Sequence, residues 1–300
     1  MNKKRYGTYL PLYLLLLPGI VYFVIFCYAP MYGILIAFKD YRMMDGILGS
    51  PWVGFEQFRE LFSDPYFYTV FKNTLIISFL KLFLGFPVPI LFAVLLNEVR
   101  QLAFKKFVQT ASYLPHFISW IALAGIMESL LSLEGTVNAI LGLFGFEKVI
   151  FMAEPDYFRA ILVLSDIWKN FGWGAVIYFA AIAGIDNSLY EASAIDGATR
   201  LQRIIYITLP SIANIIVIML ILSMAGILDA GFDQIFNLYN SSVMDVSDII
   251  DTYVYRVGIQ DLDYSRSTAV GIFKSVIALI LILFTNWLAK RLNKDHNTLW

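Results

Sequence analysis

Long apolar runs separated by short polar segments dominate the pattern of this chain. A helix needs about 20 apolar residues to cross the hydrocarbon core of a bilayer. Three segments meet this length without any charge, residues 6–38, 107–127 and 204–228. The full set of predicted spans is 9–30, 74–96, 107–130, 160–185, 208–228 and 268–289. The pattern therefore predicts an all-α membrane protein with six transmembrane helices.

The first apolar run needs to be distinguished from a secretory signal. It covers residues 6–38 without a charge and follows three consecutive basic residues. The apolar region of a signal peptide is only about 7–15 residues long and ends in small residues. Because this run is longer and Pro30-Met31-Tyr32 is a poor cleavage site, we expect an uncleaved transmembrane helix.

Basic residues are concentrated in one set of the segments that connect the predicted helices. The N-terminus, residues 97–106, residues 186–207 and the C-terminal tail are short but hold eleven lysines and arginines. The three longer connections on the other side hold eight, and the last of them, 229–267, is acidic. Since lysine and arginine are enriched on the cytoplasmic side of membrane proteins, we predict that both termini are cytoplasmic.

Composition supports the membrane prediction and excludes several classes of protein. Of the 300 residues 59% are hydrophobic and 15% charged, with a mean hydropathy of +0.70. Soluble domains are only about 45–50% apolar and about 25% charged. A net charge of −1 gives no indication of nucleic-acid binding. One cysteine and two histidines permit neither an internal disulfide nor a zinc site made by protein ligands alone.

The sequence contains no recognisable catalytic set, so we expect a protein that is not itself an enzyme. His116 has no second histidine or cysteine nearby, and packing or a backbone hydrogen bond is its expected role. The chain also lacks a glycine-rich phosphate loop ending in Lys and Ser or Thr. ATP chemistry would therefore have to come from another subunit.

The connection between the fourth and fifth spans has the pattern of two short helices joined by a tight turn. Ser188 and Glu191 have the spacing of a capping box that begins the first helix. Gly197 allows the left-handed turn that would end it. Residues 198–207 form a second helical stretch, and Pro210 marks the start of the fifth span. The expected product is a helix–turn–helix bracket on the cytoplasmic surface.

This bracket resembles the EAA loop of ATP-binding-cassette importer permeases, in which Glu-Ala-Ala, three residues, Gly, nine residues and Ile-x-Leu-Pro follow one another. The same spacing is present here in Glu191-Ala192-Ser193, Gly197 and Ile207-Thr208-Leu209-Pro210, with Ser193 in place of the second alanine. The resemblance implies that the loop docks into a cleft of an ATPase subunit, with the glutamate in contact and the glycine at the bend. The predicted coupling residues are Glu191, Ala192, Ser193, Asp196, Gly197, Arg200, Arg203, Leu209 and Pro210.

Segments near the N-terminus resemble the sugar and oligosaccharide branch of the same family. They are Ala29-Pro30-Met31-Tyr32-Gly33, Ala37-Phe38-Lys39-Asp40-Tyr41 and Trp52-Val53-Gly54-Phe55-Glu56-Gln57-Phe58. The resemblance implies a MetI-like five-helix core with the N-terminal helix added outside it. The corresponding divisions are an N-terminal helix and external loop (1–68), the core (69–290) with its coupling loop (186–210), and a cytoplasmic tail (291–300).

The resemblance also implies a set of partners in a bacterial plasma (inner) membrane. They are a second permease subunit, expected to form a heterodimer with this one, two ATPase subunits, an external solute-binding protein and an oligosaccharide. No cofactor is expected in this chain, because ATP and magnesium would be bound by the ATPase.

Ionisable residues inside the predicted spans are a second candidate site, since intramembrane charge is costly and usually marks function or pairing. Asp166 and Lys169 lie on one helix face, and a tryptophan can stack on a sugar ring. The candidates for a substrate path are Lys81, Glu128, Asp166, Trp168, Lys169, Asn170, Trp173 and Lys274.

A structural interpretation of the same residues stays open. In it Asp166 pairs with Lys169, Lys81 and Lys274 extend toward the membrane surface, and the tryptophans form an interfacial belt. The five charges sum to one net positive, which leaves an acidic oligosaccharide possible beside a preferred neutral one. The main alternative function is a secondary transporter that uses intramembrane carboxylates.

Overall fold

The computed structural model describes residues 3–292, and within that range the elements are helical apart from one isolated antiparallel bridge between Lys39 and Trp52. Six helical segments in it are long and apolar enough to cross a membrane, which confirms the predicted fold class. The predicted tail, 291–300, falls almost entirely outside the described residues. The six segments are Pro11–Phe38, Pro65–Asn97, Trp120–Leu143, Pro155–Ala183, Arg200–Met224 and Tyr264–Trp287. We call them spans one to six, and we take span three to begin at Leu102, so that it includes the part of the predicted span 107–130 that precedes Trp120.

Sixteen α-helices are described, and short π- and 3₁₀-helical turns join several of them. The first eight are α1 (Lys3–Phe23), α2 (Gly46–Gly49), α3 (Glu56–Ser63), α4 (Pro65–Leu80), α5 (Pro87–Asn97), α6 (Leu102–Tyr113), α7 (Trp120–Leu131) and α8 (Thr136–Leu143). The second eight are α9 (Pro155–Ala183), α10 (Asn187–Ile195), α11 (Arg200–Arg203), α12 (Leu209–Ala225), α13 (Phe232–Leu238), α14 (Met244–Ser247), α15 (Ile250–Tyr255) and α16 (Tyr264–Leu292).

Three prolines inside long helices follow a π-helical turn. Pro30 comes after the turn Val24–Tyr28, Pro87 after Lys81–Gly85, and Pro210 after Ile204–Thr208. Proline has no backbone N–H and its ring collides with the carbonyl four residues before it, so a wider turn lets the helix continue. The prediction that span five starts at Pro210 is therefore wrong, because the helix runs without interruption from Arg200.

Span three differs from the unbroken helix predicted over 107–130. Helix α6 ends at Tyr113, a 3₁₀ turn covers Leu114–Phe117, and Ile118 and Ser119 are extended. Pro115 cannot donate a hydrogen bond, and the Ser119 hydroxyl accepts one from the amide of Ala122, which starts α7. The absence of charge in this stretch predicted one continuous helix, because apolar composition carries no information about such local breaks.

The chain forms two compact units. The first contains the residues up to Asp64 together with Val254–Phe273. In it the buried Lys39 ammonium donates to the carbonyls of Leu48 (3.2 Å) and Ser50 (3.1 Å), which fixes the turn after span one. The most apolar stretch of span one itself is not buried, as expected for a helix whose surface faces lipid.

The second unit contains Pro65–Tyr253 and the residues from Lys274 onward. One of its apolar clusters joins spans two and four to the segment that follows span five, through Ile77, Leu162, Ile235 and Ile249, all fully buried. The predicted acidic loop 229–267 is therefore largely folded into short helices rather than open to water. Asp233 and Asp245 remain exposed on it.

Candidate functional sites: a central cavity and a coupling loop

A cavity of about 350 Å³ lies inside the second unit, between spans two, four and five. It is lined on one side by residues of the segment 226–231, which links α12 to α13 and which we call the connector. Because α12 continues the helix that begins in the coupling loop, the connector lies at the end of the cavity farther from that loop. Polar lining residues include Ser78, Lys81, Asp166, Asn170, Ser223 and Asp229.

Lys81 has the most extensive contacts of these polar residues. Its ammonium donates to the Ala230 carbonyl (2.7 Å) and to Oε1 of Gln234, and lies 3.9 Å from Oδ1 of Asp166. Its side chain is only 12% exposed. Lys81 lies 16 residues after Pro65, or about 24 Å along the helix, near the middle of span two. In the predicted span 74–96, which begins nine residues later, Lys81 would lie much nearer the start of the helix.

A second set of contacts links the cavity wall to the broken span three. The Asn170 amide donates to Asp166 Oδ1 (3.1 Å), and its oxygen lies 3.1 Å from Nδ1 of His116. The His116 ring stacks on Trp173 with a centroid separation of 5.0 Å. His116 therefore has the packing role expected from its isolation in the sequence.

Lys169 faces away from the cavity and caps the break in span three. The ammonium donates to the carbonyls of Pro115 (3.3 Å), His116 (2.6 Å) and Ile118 (2.5 Å), and lies 5.5 Å from the Trp120 ring centroid. The Pro115 carbonyl also accepts a hydrogen bond from the Ile118 amide (3.2 Å), whereas the carbonyls of His116 and Ile118 lie at the break. An ammonium is a strong donor to carbonyls at a helix end. The predicted pair between Asp166 and Lys169 is wrong, because Asp166 pairs with Lys81 instead.

Lys274 also has a partner other than the predicted one. Its ammonium donates to both carboxylate oxygens of Asp251, at 2.6 and 2.8 Å. Burial raises the pKa of the Asp251 carboxyl, and the contact with Lys274 opposes that effect. Neither Lys81 nor Lys274 extends freely toward the membrane surface, so that part of the structural interpretation is wrong. Because Lys81 pairs with Asp166 and Lys274 pairs with Asp251, the net positive charge that left an acidic substrate possible is balanced.

The structure brings together three of the eight substrate-path candidates, namely Lys81, Asp166 and Asn170. The other five, Glu128, Trp168, Lys169, Trp173 and Lys274, do not line the cavity. Sequence reasoning missed Gln234, Ser223 and Asp229, the last two of which line it. The available signal was the apolar content of Phe232–Leu238 and Ile249–Tyr253, which is high for an open loop.

In the coupling loop, the first helix begins earlier than predicted. The carboxylate of Asp186, not the Ser188 hydroxyl, caps α10 by accepting a hydrogen bond from the Ser188 amide (2.9 Å). This contact lowers the pKa of the Asp186 carboxyl. The capping box predicted with Glu191 is therefore wrong, since aspartate is an equally good cap and lies two residues earlier.

The end of α10 agrees with the prediction. Gly197 has a left-handed φ of +74°. The Ala198 amide donates to the Ser193 carbonyl (2.9 Å) and the Gly197 amide to that of Ala194 (3.2 Å), which together form a Schellman motif. A β-carbon at Gly197 would meet no atom within 4 Å, so its backbone conformation, rather than space, favours glycine.

The second helix of the loop starts at α11 and is capped by Thr199 and Gln202, whose side chains form a reciprocal capping box. The Tyr190 hydroxyl lies 2.9 Å from Oγ1 of Thr208, which ties the two helices together. Large apolar side chains nevertheless remain uncovered, with Ile195 87% exposed and Tyr206 74% exposed. Among the predicted coupling residues, those exposed are Glu191, Ala192, Asp196, Gly197, Arg200 and Pro210, and those partly buried are Ser193, Arg203 and Leu209.

A helical bundle with an internal cavity and an exposed, apolar bracket at one end defines a membrane permease that is coupled to a partner. The family model described as "binding-protein-dependent transport system inner membrane component" matches residues 85–295. This chain belongs to that family and is the permease component of an ATP-binding-cassette importer. The alternative of a secondary transporter is therefore wrong.

Individual relatives match over nearly the whole chain. The Polygalacturonan/rhamnogalacturonan transport system permease protein YteP of Bacillus subtilis (strain 168) is 47% identical over 285 residues, which cover 95% of this chain and 89% of that protein. A solved bacterial ABC transporter involved in the import of the acidic polysaccharide alginate has a chain that is 42% identical, with a TM-score of 0.90 and coverage of 97% and 99%. A further structure shows the bacterial alginate ABC transporter with its alginate pentasaccharide-bound periplasmic protein, with 42% identity, a TM-score of 0.90 and coverage of 97% and 98%.

Proposed function

We propose that this chain and a second permease of the same fold form the path of an oligosaccharide through a bacterial plasma membrane. An external binding protein delivers the sugar, and two ATPase subunits, which hold ATP and magnesium, drive the transport. The observation that carries this proposal is the exposed bracket 186–210, with Glu191 on its surface and a glycine-dependent turn beside it. The similar alginate transporter that was solved with a periplasmic protein supports the role of a binding protein.

The coupling role predicts what two substitutions in the bracket do. Glu191→Lys reverses the charge that an ATPase cleft would receive. Gly197→Val places a branched side chain at φ +74°, which costs about 1–3 kcal/mol of backbone strain. Both variants should stay in the membrane but lose co-purifying ATPase and uptake.

Gly145→Val is the matched control, since Gly145 also has a positive φ (+82°) in open space but lies outside the bracket. It should retain the ATPase. Normal co-purification and normal uptake in both bracket variants would contradict the coupling role.

An acidic oligosaccharide, such as a uronide fragment, is the substrate class we infer. The support comes from the polysaccharides for which the two similar transporters are named. The cavity of this chain contributes groups for sugar hydroxyls, because Asp166 and Asn170 present acceptors and donors and Asp229 adds an exposed carboxylate. Lys81 is already paired, so counter-charges for uronate groups have to come from the second permease or the binding protein.

The substrate class can be tested on the intact complex purified from membranes. ATP hydrolysis should rise when binding protein is added together with oligogalacturonate, and much less with a neutral malto-oligosaccharide. Mass spectrometry of the purified complex should identify the partner subunits and any bound glycan. Equal stimulation by both sugars would remove the acidic preference, and stimulation by neither would contradict an oligosaccharide substrate of these kinds.

A further inference from the structure

The connector packs through the buried side chains of Ile227, Leu228 and Ala230, and its backbone also accepts a hydrogen bond from a lysine of span two. Its carbonyl at Ala230 accepts a hydrogen bond from Lys81 in the middle of span two. A β-carbon added at Gly231, where φ is +97°, would lie 2.7 Å from the same ammonium nitrogen. The connector therefore passes directly over Lys81 and approaches it more closely than any residue other than glycine would allow.

The segment that follows the connector is attached in a different way. Asn73 donates to the Asp245 carbonyl (2.9 Å), Arg159 donates to the Val246 carbonyl (3.1 Å), and the Ile250 amide donates to the Thr74 hydroxyl (2.9 Å). These contacts fix α14 and the start of α15 to spans two and four independently of Lys81. Loss of the Lys81 contact would therefore loosen the connector backbone at Ala230 but leave these later contacts in place.

The positions of Gln234 and Asp166 would let Lys81 exchange its contact with the Ala230 carbonyl for one with Asp166. Gln234 is held rigidly, because its amide donates to the Leu162 carbonyl (2.7 Å) and the Ser165 hydroxyl (2.8 Å). Asp166, at 3.9 Å, is just beyond direct hydrogen-bonding distance. If the connector moved away, the ammonium could close on Asp166 and would not be left as an unpaired buried charge, which would be very costly.

We propose that Lys81 is a positioning residue that closes the outer end of the cavity by holding the connector across it. Opening of the cavity toward the outside then requires the ammonium to exchange Ala230 for Asp166. This role differs from the direct contact with substrate predicted from the sequence. This proposal rests on the proposed transport function only in assuming that the connector faces the outside of the cell.

The test measures access to the cavity and needs no sugar. Ser223, which lines the cavity on α12, is replaced with cysteine after the exposed native Cys27 is changed to serine. The complete complex in right-side-out membrane vesicles is treated with a membrane-impermeant maleimide in the absence of nucleotide. Loss of a hydrogen bond from a charged donor shifts a conformational equilibrium by roughly tenfold or more, so Lys81→Met should raise the labelling rate by about that factor.

Gly231→Ala is the second variant, because it keeps the lysine charge but places a methyl group against the ammonium. It should also raise labelling, and it decides the outcome if Lys81→Met fails to accumulate in the membrane. Gly145→Ala controls for strain at a positive φ, and Lys148→Met controls for loss of a paired lysine that does not line the cavity. Both controls should label at the parental rate.

Unchanged labelling in Lys81→Met, present at normal amounts, overturns the proposal. A rise in Gly145→Ala or Lys148→Met as large as in the test variants overturns it as well. Neither result bears on ATPase binding or on the sugar, so failure of this inference is distinguishable from failure of the proposed function.

Discussion

Replacement of Lys169 by methionine separates a structural role from a place in the substrate path. Methionine keeps much of the length and packing of the side chain but removes the donor for three carbonyls at the break in span three. The residue is 6% exposed, so water has little access to those carbonyls. The substitution leaves neutral carbonyls without a donor, and each buried unsatisfied acceptor costs about 1–3 kcal/mol, or roughly 2–6 kcal/mol for the carbonyls of His116 and Ile118 together. At about 2 °C per kcal/mol, the lower end for sizeable domains, the unfolding midpoint should fall by roughly 4–12 °C.

The assay is thermal unfolding of the purified complex, followed by the loss of soluble complex after heating. Lys148→Met is the control, because Lys148 forms an exposed ion pair with Glu134 (2.7 Å) that contributes at most about 1 kcal/mol. The Lys169→Met complex that remains soluble after heating should still transport at a near-normal rate. An unchanged midpoint together with lost uptake would refute the capping role and restore Lys169 to the substrate path.

Three further substitutions or conditions have defined outcomes. Gly172→Ala should destabilise the complex by about 1–3 kcal/mol in thermal unfolding, because its β-carbon would overlap the backbone of Ser112 on α6, whereas Gly125→Ala, in open space, should not. Folding lowers the pKa of Asp186 below its ordinary value of 3.8, so its capping contribution is fully present above pH 3.8 and is lost only as the pH falls through the pKa of the folded protein. Titration of Asp186 should therefore not change ATPase co-purification between pH 5 and 8. Asp186→Ala should weaken that co-purification at every pH in this range. A cysteine at Ser242, in a background without the native cysteine, should react with an impermeant reagent from outside, and protection there would contradict the predicted cytoplasmic termini.

The coupling loop was predicted well because its information is local. The turn at Gly197 depends on the conformational freedom of one residue, and the sequence states that residue directly. The capping box failed at Ser188 because Asp186 offers an equally good acceptor two residues earlier, and local pattern does not rank the two. Composition likewise indicated the number of spans, but it missed the break at residues 114–119 and the π-helical turns that precede three prolines.

The cavity could be predicted only in part, because its geometry depends on contacts between distant residues. Asp166 and Lys169 share a helix face, but the structure gives them separate partners on spans two and three. Lys81 meets Gln234, which is 153 residues away in a segment whose charges made it resemble an exposed loop. Helical periodicity relates neighbours on one helix and carries no information about which other helix packs against them.

We infer that the bracket between spans four and five binds an ATPase. Crosslinking from Ile195 tests this binding. This side chain is 87% exposed beside the Gly197 turn, so a photoreactive amino acid at position 195 should be tolerated and should reach a bound partner. The same substitution at Leu143, 84% exposed and outside the bracket, is the control. Irradiation of intact membranes should link position 195, and not position 143, to a nucleotide-binding ATPase subunit. Equal products from both positions, or no ATPase linked to position 195 in a complex that still transports, would contradict it.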